Sequence, residues 1–279
     1  MFQINWKLKS LLYKILTFFN LYKTLFFIQK NITKRSKIEF REKIFYWDYH
    51  YKFLKENSSK KIIEIGAGKS LAQNIYLSYM LERKIEQTLI DVSKMLDFDL
   101  FNKANNQIAK ILKINKIPSA YSIEDLKRNF NLIYIAPTNL KKIKESNLKF
   151  DACISSTTLE HIPKNELEET LHLLKDIIKK DGIISALIDY SDHYSHTDKN
   201  IGSLNFLKFN SNKWKNYNTP MLFQNRLRHQ DYRKLFKSKG FKIFEIKGPV
   251  GKSPRFISEE FDKNNGETFI LWGHYLLRI

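Results

Sequence analysis

Short apolar runs alternate with helix-like stretches from residue 60 onward, and this alternation constrains the fold more than any other feature of the sequence. Stretches that lie between the apolar runs show helical periodicity. Strands that alternate with helices form right-handed βαβ units, which place helices on both faces of a parallel sheet. The sequence therefore predicts an α/β fold with a mostly parallel sheet. The predicted strands are 61–65, 87–91, 131–136, 150–156 and 182–189, and the predicted helices are 70–84, 99–113 and 164–180.

The C-terminal part of the chain departs from this alternation. A helical stretch over 229–239 is followed by two apolar runs, 241–246 and 268–279, which predict a terminal antiparallel pair of strands at one edge of the sheet. Residues 189–230 are too polar at their start for a strand and too aromatic for a flexible linker. Because long segments of this kind usually cover a binding site, we expect a lid over the carboxyl ends of the strands.

The N-terminal segment is basic and amphipathic. Residues 1–38 carry eight Lys or Arg and no acid, so they contribute +8 of the formal net charge of +19. The longest uncharged stretches, 15–22 and 24–29, are far shorter than the ~20 apolar residues of a membrane-spanning helix. No alanine precedes Ala67, so the A-x-A cleavage site of a signal peptide is missing. The predicted organisation is a basic amphipathic helical extension over 1–58 and one domain over 59–279.

Two interpretations of the extension stay open at this stage. Its broad apolar face either packs on the domain or lies on an anionic membrane surface. The single cysteine, Cys153, excludes an intrachain disulfide and offers no pair of zinc ligands. We therefore expect a reducing cytoplasm, with peripheral placement on the inner face of the membrane under the second interpretation. The apolar face comprises Ile4, Leu8, Leu11, Leu12, Ile15, Phe18, Phe19, Tyr22 and Phe26.

A glycine turn follows the first predicted strand, in the sequence IEIGAGKS at residues 63–70. A P-loop requires glycine at position 63, where this chain has Ile63. A dinucleotide-binding fingerprint requires a third glycine at position 71, and Leu71 weakens that interpretation. A third pattern keeps every residue: Glu64 near the end of the strand, the turn itself, and Asp91 at the end of the second strand.

Four segments carry this third pattern: "IIEIGAGKS", "LID", "FDACISSTTLEHIPKNEL" and "LKDIIKKDGII". They resemble the class I S-adenosylmethionine-dependent methyltransferases. With "DYSDHYSH" and "NRLRHQDY", the chain is similar to the methyltransferases found among bacterial surface-polysaccharide biosynthesis proteins. The resemblance implies a Rossmann-like, doubly wound sheet and S-adenosylmethionine as cofactor. It assigns the amino acid end of the cofactor to Glu64, Gly66, Ala67 and Gly68, the ribose hydroxyls to Asp91, and a further contact to Ser155.

Elementary chemistry agrees with the resemblance at the turn. Glycines let the backbone approach a ligand without a Cβ clash, and the N–H groups at a helix start are donors. A carboxylate at Asp91 can accept hydrogen bonds from both ribose hydroxyls. Ordinary strand-end acids are the alternative for Glu64 and Asp91, and the sequence assigns no contact to the adenine.

Histidines follow the fourth and fifth predicted strands, where the resemblance implies that the methyl group is transferred. A hydroxyl acceptor requires a base, and histidine titrates near neutral pH. We expect His193 to be that base, with His161 as the alternative, because Asp189 and Asp192 lie close to His193 in sequence. A loop-bracing role for the cluster is also open. Asp189, Asp192, His193 and His196 could chemically bind a metal ion, but their spacing matches no strict template, so metal binding stays an alternative and no ligand is assigned.

The expected acceptor is a sugar hydroxyl on a polysaccharide or lipid-linked precursor, contacted by Asp189, His196, Asn225, Arg226 and Arg228. Methyltransferases acting on a small metabolite, a lipid or RNA, and a non-catalytic nucleoside-binding protein of the same fold, remain alternatives. Nucleic acid is disfavoured because no RNA-binding motif occurs. Basic residues in the lid region favour an anionic or phosphate-linked acceptor: Lys208, Lys213, Lys215, Arg226, Arg228 and Arg233.

Overall fold

A computed structural model describes residues 3–21 and 40–279, with the side chains of residues 41 and 42 outside the description. Its helices are α1 (Trp6–Phe18), α2 (Arg41–Glu56), α3 (Ala72–Met80), α4 (Phe98–Leu112), α5 (Ile123–Phe130), α6 (Leu140–Glu145), α7 (Lys164–Ile177), α8 (Ser211–Trp214) and α9 (His229–Ser238). Its strands are β1 (Lys61–Ile65), β2 (Glu86–Ile90), β3 (Leu132–Ile135), β4 (Phe150–Ser156), β5 (Ile178–Asp189), β6 (Lys242–Lys247) and β7 (Trp272–Arg278). Short 3-10 turns lie at Leu159–His161, Asn205–Lys208, Pro220–Leu222 and Gly266–Phe269.

The sheet has seven strands in the order β3-β2-β1-β4-β5-β7-β6. Strands β1 to β5 are parallel, whereas β7 runs antiparallel to both β5 and β6. This arrangement confirms the predicted Rossmann-like, mostly parallel sheet with a terminal antiparallel pair. The chain reverses its direction of winding between β1 and β4, and open α/β sheets bind ligands at such a point, beyond the carboxyl ends of the strands.

Helices cover both faces of the sheet because the central strands are apolar on both sides. Ile62 and Ile63 of β1 are fully buried and point into different core clusters. One cluster includes side chains of α2, α3, α4 and α5, and the other includes side chains of α6, α7 and α9. The two layers hold the strand ends rigidly, so the turns that follow them present a fixed site.

Helix α2 falls within the predicted extension but packs into the domain core. Its residues Trp47, Phe53 and Leu54 belong to the same cluster as Ile62 of β1. His50 is fully buried and reaches the sheet. The core of the domain therefore begins before residue 59.

Helix α1 packs on the lid through a face that the sequence did not predict. Trp6 lies against the aromatic rings of Tyr194, Phe209 and Tyr217, at centroid distances of 5.7, 5.6 and 4.6 Å. The predicted apolar face points outward instead, with Phe18 83% exposed. Its other exposed members are Leu8, Leu11, Leu12, Ile15 and Phe19, while Tyr22 and Phe26 lie outside the described residues.

The predicted lid, residues 189–230, is a compact unit with a small core of its own. Tyr194, Phe206, Leu207 and Trp214 pack together with Trp6 of α1. Three short helical segments, including α8, cross this region. None of the helices within residues 3–21 and 40–279 combines the length and apolar character that a membrane span requires.

Candidate functional site

The glycine turn joins β1 to α3 at the carboxyl edge of the sheet. Gly66 and Gly68 have φ angles of +79° and +72°, in the left-handed region that favours glycine. A Cβ on Gly66 would collide with the side chain of Thr158, so this position has no room for a larger residue. A Cβ on Gly68 would meet no described atom within 4 Å, so the backbone there faces open space. A ligand can therefore approach the main chain at Gly68.

Asp91 connects this turn to the end of β2. Its Oδ2 accepts a hydrogen bond from the Gly68 N–H at 3.2 Å, and its Oδ1 accepts one from the Ser93 N–H at 3.2 Å. Each carboxylate oxygen accepts more than one hydrogen bond, so both retain capacity for a ligand. The structure thus places Asp91 beside the open glycine, as the sequence pattern predicted.

Glu64 points away from this opening and into the start of α3. Its two carboxylate oxygens accept hydrogen bonds from the amides of Gln73, at 3.0 Å, and Asn74. Burial raises the pKa of Glu64 to about 8, while the hydrogen bond from Asn74 opposes the shift. Glu64 therefore fixes the junction between turn and helix from inside the protein. Ser155, at the end of β4, has a buried hydroxyl with no hydrogen-bond partner among the described residues.

Polar side chains extend from this junction across the sheet. Ser156 donates to Gln73, His50 lies 2.9 Å from Ser156 and 2.8 Å from Ser185, and Ser185 lies 2.8 Å from His274. Burial lowers the pKa of His50 to about 3. Burial and the neighbouring His50 lower the pKa of His274 well below its ordinary value. Both rings are therefore neutral. No sequence pattern predicts this row of hydrogen-bonded side chains, because its members come from α2, α3, β4, β5 and β7.

A second group of side chains lies where β4 and β5 end. His193 Nε2 is 3.4 Å from Asp189 Oδ2, and His196 Nε2 is 4.0 Å from the same oxygen. The rings of His161 and His193 are 4.9 Å apart, and those of His193 and His196 are 5.0 Å apart. Glu160 joins them through its Oε1, which accepts from the Asp189 N–H at 3.4 Å. We call these five residues the histidine–carboxylate cluster.

Burial shapes the charges in this cluster. Burial, reinforced by the neighbouring Asp189, raises the pKa of Glu160 well above its ordinary value. Burial and the nearby His193 lower the pKa of His161. Desolvation also lowers the pKa of Lys43, a residue of α2, against the attraction of Asp189. Lys43 therefore belongs to the surroundings of the cluster, although its position in the predicted extension gave no signal of this.

Asp192 does not accompany His193, contrary to the expected pairing. It is fully buried, and its carboxylate accepts hydrogen bonds from the Tyr194 N–H at 2.9 Å and from the Asn205 amide at 3.2 Å. Burial raises its pKa to about 6. The tight turn after β5 directs Asp189 towards His193 and Asp192 into the base of the lid.

Three of the five residues expected to contact an acceptor brace the protein instead. Asn225 donates to the main-chain oxygens of Leu159 and Ile162. Arg226 donates to main-chain oxygens in the lid and lies 3.4 Å from Glu260. Arg228 is buried and donates to three main-chain oxygens, those of Tyr190, Thr268 and Ile270. Their donors are committed internally, so the expected acceptor contacts are not supported by their positions.

Comparisons with known proteins give structural matches of low identity. No family model and no curated protein matches the sequence. The 1,6-didemethyltoxoflavin-N1-methyltransferase of Burkholderia thailandensis, with bound 1,6-didemethyltoxoflavin and S-adenosylhomocysteine, is 11% identical over 93% of this chain and 85% of its own, with a TM-score of 0.48. A SAM-dependent methyltransferase from Archaeoglobus fulgidus is 14% identical over 84% of this chain and 94% of its own, with a TM-score of 0.46.

The CurJ carbon methyltransferase is also similar, with 13% identity, 78% of this chain covered and a TM-score of 0.44. This chain spans 48% of that structure. Identities of 11–14% and TM-scores below 0.5 give no argument about cofactor, acceptor or reaction. These assignments therefore depend on the residues of this chain.

Proposed function

We propose that this protein is an S-adenosylmethionine-dependent methyltransferase that methylates a hydroxyl group of a sugar or related acceptor, in the synthesis of a surface polysaccharide or glycolipid. The observation that carries the proposal is the open backbone at Gly68 beside the carboxylate of Asp91. Both lie at the switch point of the sheet, where this fold binds ligands. We infer S-adenosylmethionine as the ligand because the sequence of this turn resembles that of the class I S-adenosylmethionine-dependent methyltransferases.

The residues present fit this cofactor. Gly68 leaves space that a side chain would fill, and Asp91 keeps acceptor capacity on both oxygens for two ribose hydroxyls. S-adenosylmethionine, when bound, supplies an electrophilic methyl group on a sulfonium, and the sulfur departs as a neutral thioether when the carbon–sulfur bond breaks. The protein's part in such a displacement is to position the reactants and to accept the proton of the acceptor hydroxyl.

The histidine–carboxylate cluster supports a hydroxyl acceptor. It lies after β4 and β5, at the same edge of the sheet as the glycine turn. Imidazole and carboxylate groups bind hydroxyls and take up the proton that is released as the new oxygen–carbon bond forms. The sequence favours His193 for this proton, with Asp189 Oδ2 3.4 Å from its Nε2.

Fewer basic side chains of the lid region are available to an anionic acceptor than the sequence suggested. Arg226, Arg228 and Arg233 are engaged within the protein, the last with Glu267 at 2.6 Å. Lys208, Lys213 and Lys215 remain on the surface of the lid. We therefore favour a neutral sugar hydroxyl on a larger carrier, and not a phosphate group, as the part of the acceptor that the site binds.

Binding calorimetry with S-adenosylmethionine and S-adenosylhomocysteine tests the cofactor. The wild-type protein should bind both, and Asp91→Ala should weaken binding by at least about tenfold, because a hydrogen bond to a charged group contributes about 1.5–3 kcal/mol. Glu82→Ala, which removes an exposed acid in a turn, is the matched control. Binding of NADH with no response to S-adenosylmethionine would overturn the assignment.

Transfer of a labelled methyl group to candidate acceptors then tests the reaction. Turnover with sugars or lipid-linked sugars, but not with RNA or small metabolites, is the expected result. Cofactor binding without turnover on any acceptor class would favour a non-catalytic nucleoside-binding protein of the same fold.

A further inference from the structure

Three potential metal ligands converge within the histidine–carboxylate cluster. Glu160 and His161 follow β4, and His193 follows β5. One ligand atom from each lies within 4.8 Å of the other two. Donors that share one metal ion are roughly 3–4 Å apart at ordinary bond lengths, so small side-chain rotations close the remaining gap.

Two buried atoms of this group lack the hydrogen bonds that buried polar atoms normally make. Glu160 is only 3% exposed, and its Oε2 has no partner within the described part of the chain. The same holds for His193 Nε2, which lies 3.4 Å from Asp189 without making a hydrogen bond. Unpartnered polar atoms on the buried Glu160 and the neighbouring, partly buried His193 indicate a ligand between them.

The tautomer of His161 suits it for ligation. Its Nδ1 lies 2.6 Å from the main-chain oxygen of Phe223, and a carbonyl oxygen only accepts, so Nδ1 carries the proton. A neutral ring then keeps a lone pair on Nε2. Metal-ligating histidines commonly donate their other N–H to a main-chain carbonyl, which fixes the ring and raises its basicity.

The charge of the cluster also calls for a cation. Among the described residues, 3–21 and 40–279 except for the side chains of residues 41 and 42, no Lys or Arg forms an ion pair with Glu160 or Asp189. Asp189 has only His193 and His196 within ion-pair distance, and Lys43 acts on it from further away. A buried Glu160 and a partly buried Asp189 that lack a Lys or Arg partner form a site for a positive ion.

A second cluster, of one histidine and two glutamates, shows the contrast. His229, Glu245 and Glu267 also bring three potential ligand atoms together. There, however, Arg233 contacts Glu267 at 2.6 Å and Glu245 at 3.1 Å, and Lys247 contacts Glu267 at 2.7 Å. His229 Nε2 and Glu245 Oε2 also lack hydrogen-bond partners among the described residues, but Arg233 and Lys247 already supply the positive charge, so we propose no metal ion there.

We propose that Glu160, His161 and His193 bind a divalent transition-metal ion, with Asp189 as a fourth ligand beside them. Two imidazole nitrogens with carboxylate oxygens favour ions such as Zn²⁺, Fe²⁺, Co²⁺ or Mn²⁺ over Mg²⁺ and Ca²⁺, which prefer oxygen alone. The role of the ion rests on the proposed function: it would hold the acceptor hydroxyl and lower its pKa, so that the proton leaves to solvent. His193 is then a ligand and not the base.

Cobalt titration of the full-length protein, prepared without a histidine tag and freed of metal with a chelator, tests the site. Co²⁺ bound by nitrogen and oxygen ligands absorbs visible light, and Zn²⁺ should displace it. We expect uptake of one ion per chain. His161→Ala and Glu160→Gln should each weaken the affinity by more than about tenfold, because changes even to the partners of metal ligands cost ten- to a hundredfold.

His172→Ala is the matched control, since this exposed histidine lies on α7 outside the cluster and should leave cobalt binding unchanged. If His161→Ala unfolds the chain, Glu160→Gln and His193→Gln, which retain much of the side-chain volume, provide the test. Absence of cobalt binding, or binding that none of these three variants reduces, overturns the proposal.

S-adenosylhomocysteine binding to the same metal-free samples separates this proposal from the proposed function. Cofactor binding with no cobalt site leaves the methyltransferase assignment standing and returns His193 to the role of base. A cobalt site lost in the variants, in a protein that does not bind the cofactor, supports the metal site and contradicts the methyltransferase.

Discussion

At the scale of single residues, Arg228 shows how a charged side chain can serve the interior. Its guanidinium is 1% exposed and donates to the main-chain oxygens of Thr268, Tyr190 and Ile270 at 2.7–2.8 Å. Burial lowers its pKa to about 10, against the attraction of Tyr190, so it remains charged at neutral pH. These three hydrogen bonds connect the residue after β5 to the segment before β7, and they stabilise the start and the end of the lid.

Arg228→Ala should therefore destabilise the protein by at least about 3 kcal/mol, because it leaves three buried carbonyl groups without their donor. Urea unfolding measures the change. Arg255→Ala, at an exposed position, is the control and should have little effect. A variant of Arg228 with normal stability but lost acceptor binding would restore the substrate role that the sequence suggested.

At the scale of elements, helix α1 has two faces with different roles. One face packs on the lid through Trp6, Tyr13 and Leu16, which are buried. The main-chain N–H of Trp6 also donates to the Asp198 carboxylate of the lid at 2.9 Å. The opposite face leaves Leu11 54% and Phe18 83% exposed. We propose that this outward face lies on an anionic membrane, since residues 1–38 carry eight basic residues and no acid.

The full-length protein should sediment with vesicles that contain anionic lipid at low salt, and less so as salt screens the charges. Replacing Leu11 and Phe18 together by Gln should reduce binding by at least about tenfold, because two large apolar side chains no longer enter the bilayer interface.

Phe256→Gln, at another exposed aromatic residue, is the control for this double variant and should bind vesicles normally. If the wild-type protein does not bind anionic vesicles, and the double variant differs from it only by eluting as a smaller species in size-exclusion chromatography, the face joins copies of this chain. The membrane proposal is then wrong.

At the scale of the whole molecule, buried neutral histidines link helix α2 to the neighbouring strands β4, β5 and β7. His50 lies between Ser156 of β4 and Ser185 of β5, and Ser185 also contacts His274 of β7. The folded protein holds His50 with a pKa of about 3 because of burial, whereas an unfolded histidine titrates near 6.5. Between these pH values the unfolded chain binds one more proton at this residue, so stability falls as the pH falls.

We therefore expect His50 to contribute a decrease of about 1.4 kcal/mol per pH unit in the free energy of unfolding as the pH falls from 6.5 to 3, whereas Glu64 and Glu160, whose pKa values burial raises, act in the opposite direction. His50→Gln should be less stable at pH 7 but should lose less stability over this range. Unfolding curves at several pH values measure both slopes. His172→Gln, at an exposed position, should keep the wild-type slope, and an unchanged slope for His50→Gln would contradict the buried, neutral state of His50.

Local sequence patterns determined the sheet and the glycine turn. Strands β1 and β4 lie where their apolar runs predicted, at Lys61–Ile65 and Phe150–Ser156, because a buried strand needs little more than such a run. β5 begins at Ile178, earlier than predicted, since α7 passes directly into it and Ile178 pairs with Phe150. α5 and α6 were missed because they are short helices of 8 and 6 residues.

The tertiary structure alone decided which polar groups meet. Asp189 and Asp192 both lie within four residues of His193 in the sequence, yet the turn after β5 directs Asp189 to the cluster and Asp192 into the lid. The broad apolar stripe of α1 left open whether it packs on the domain or lies on a membrane, and rings near residues 194–217 selected the Trp6 face for packing on the lid. Periodicity reports which side of an element is apolar. Which partner that side finds depends on contacts between residues far apart in the chain, and those exist only after folding.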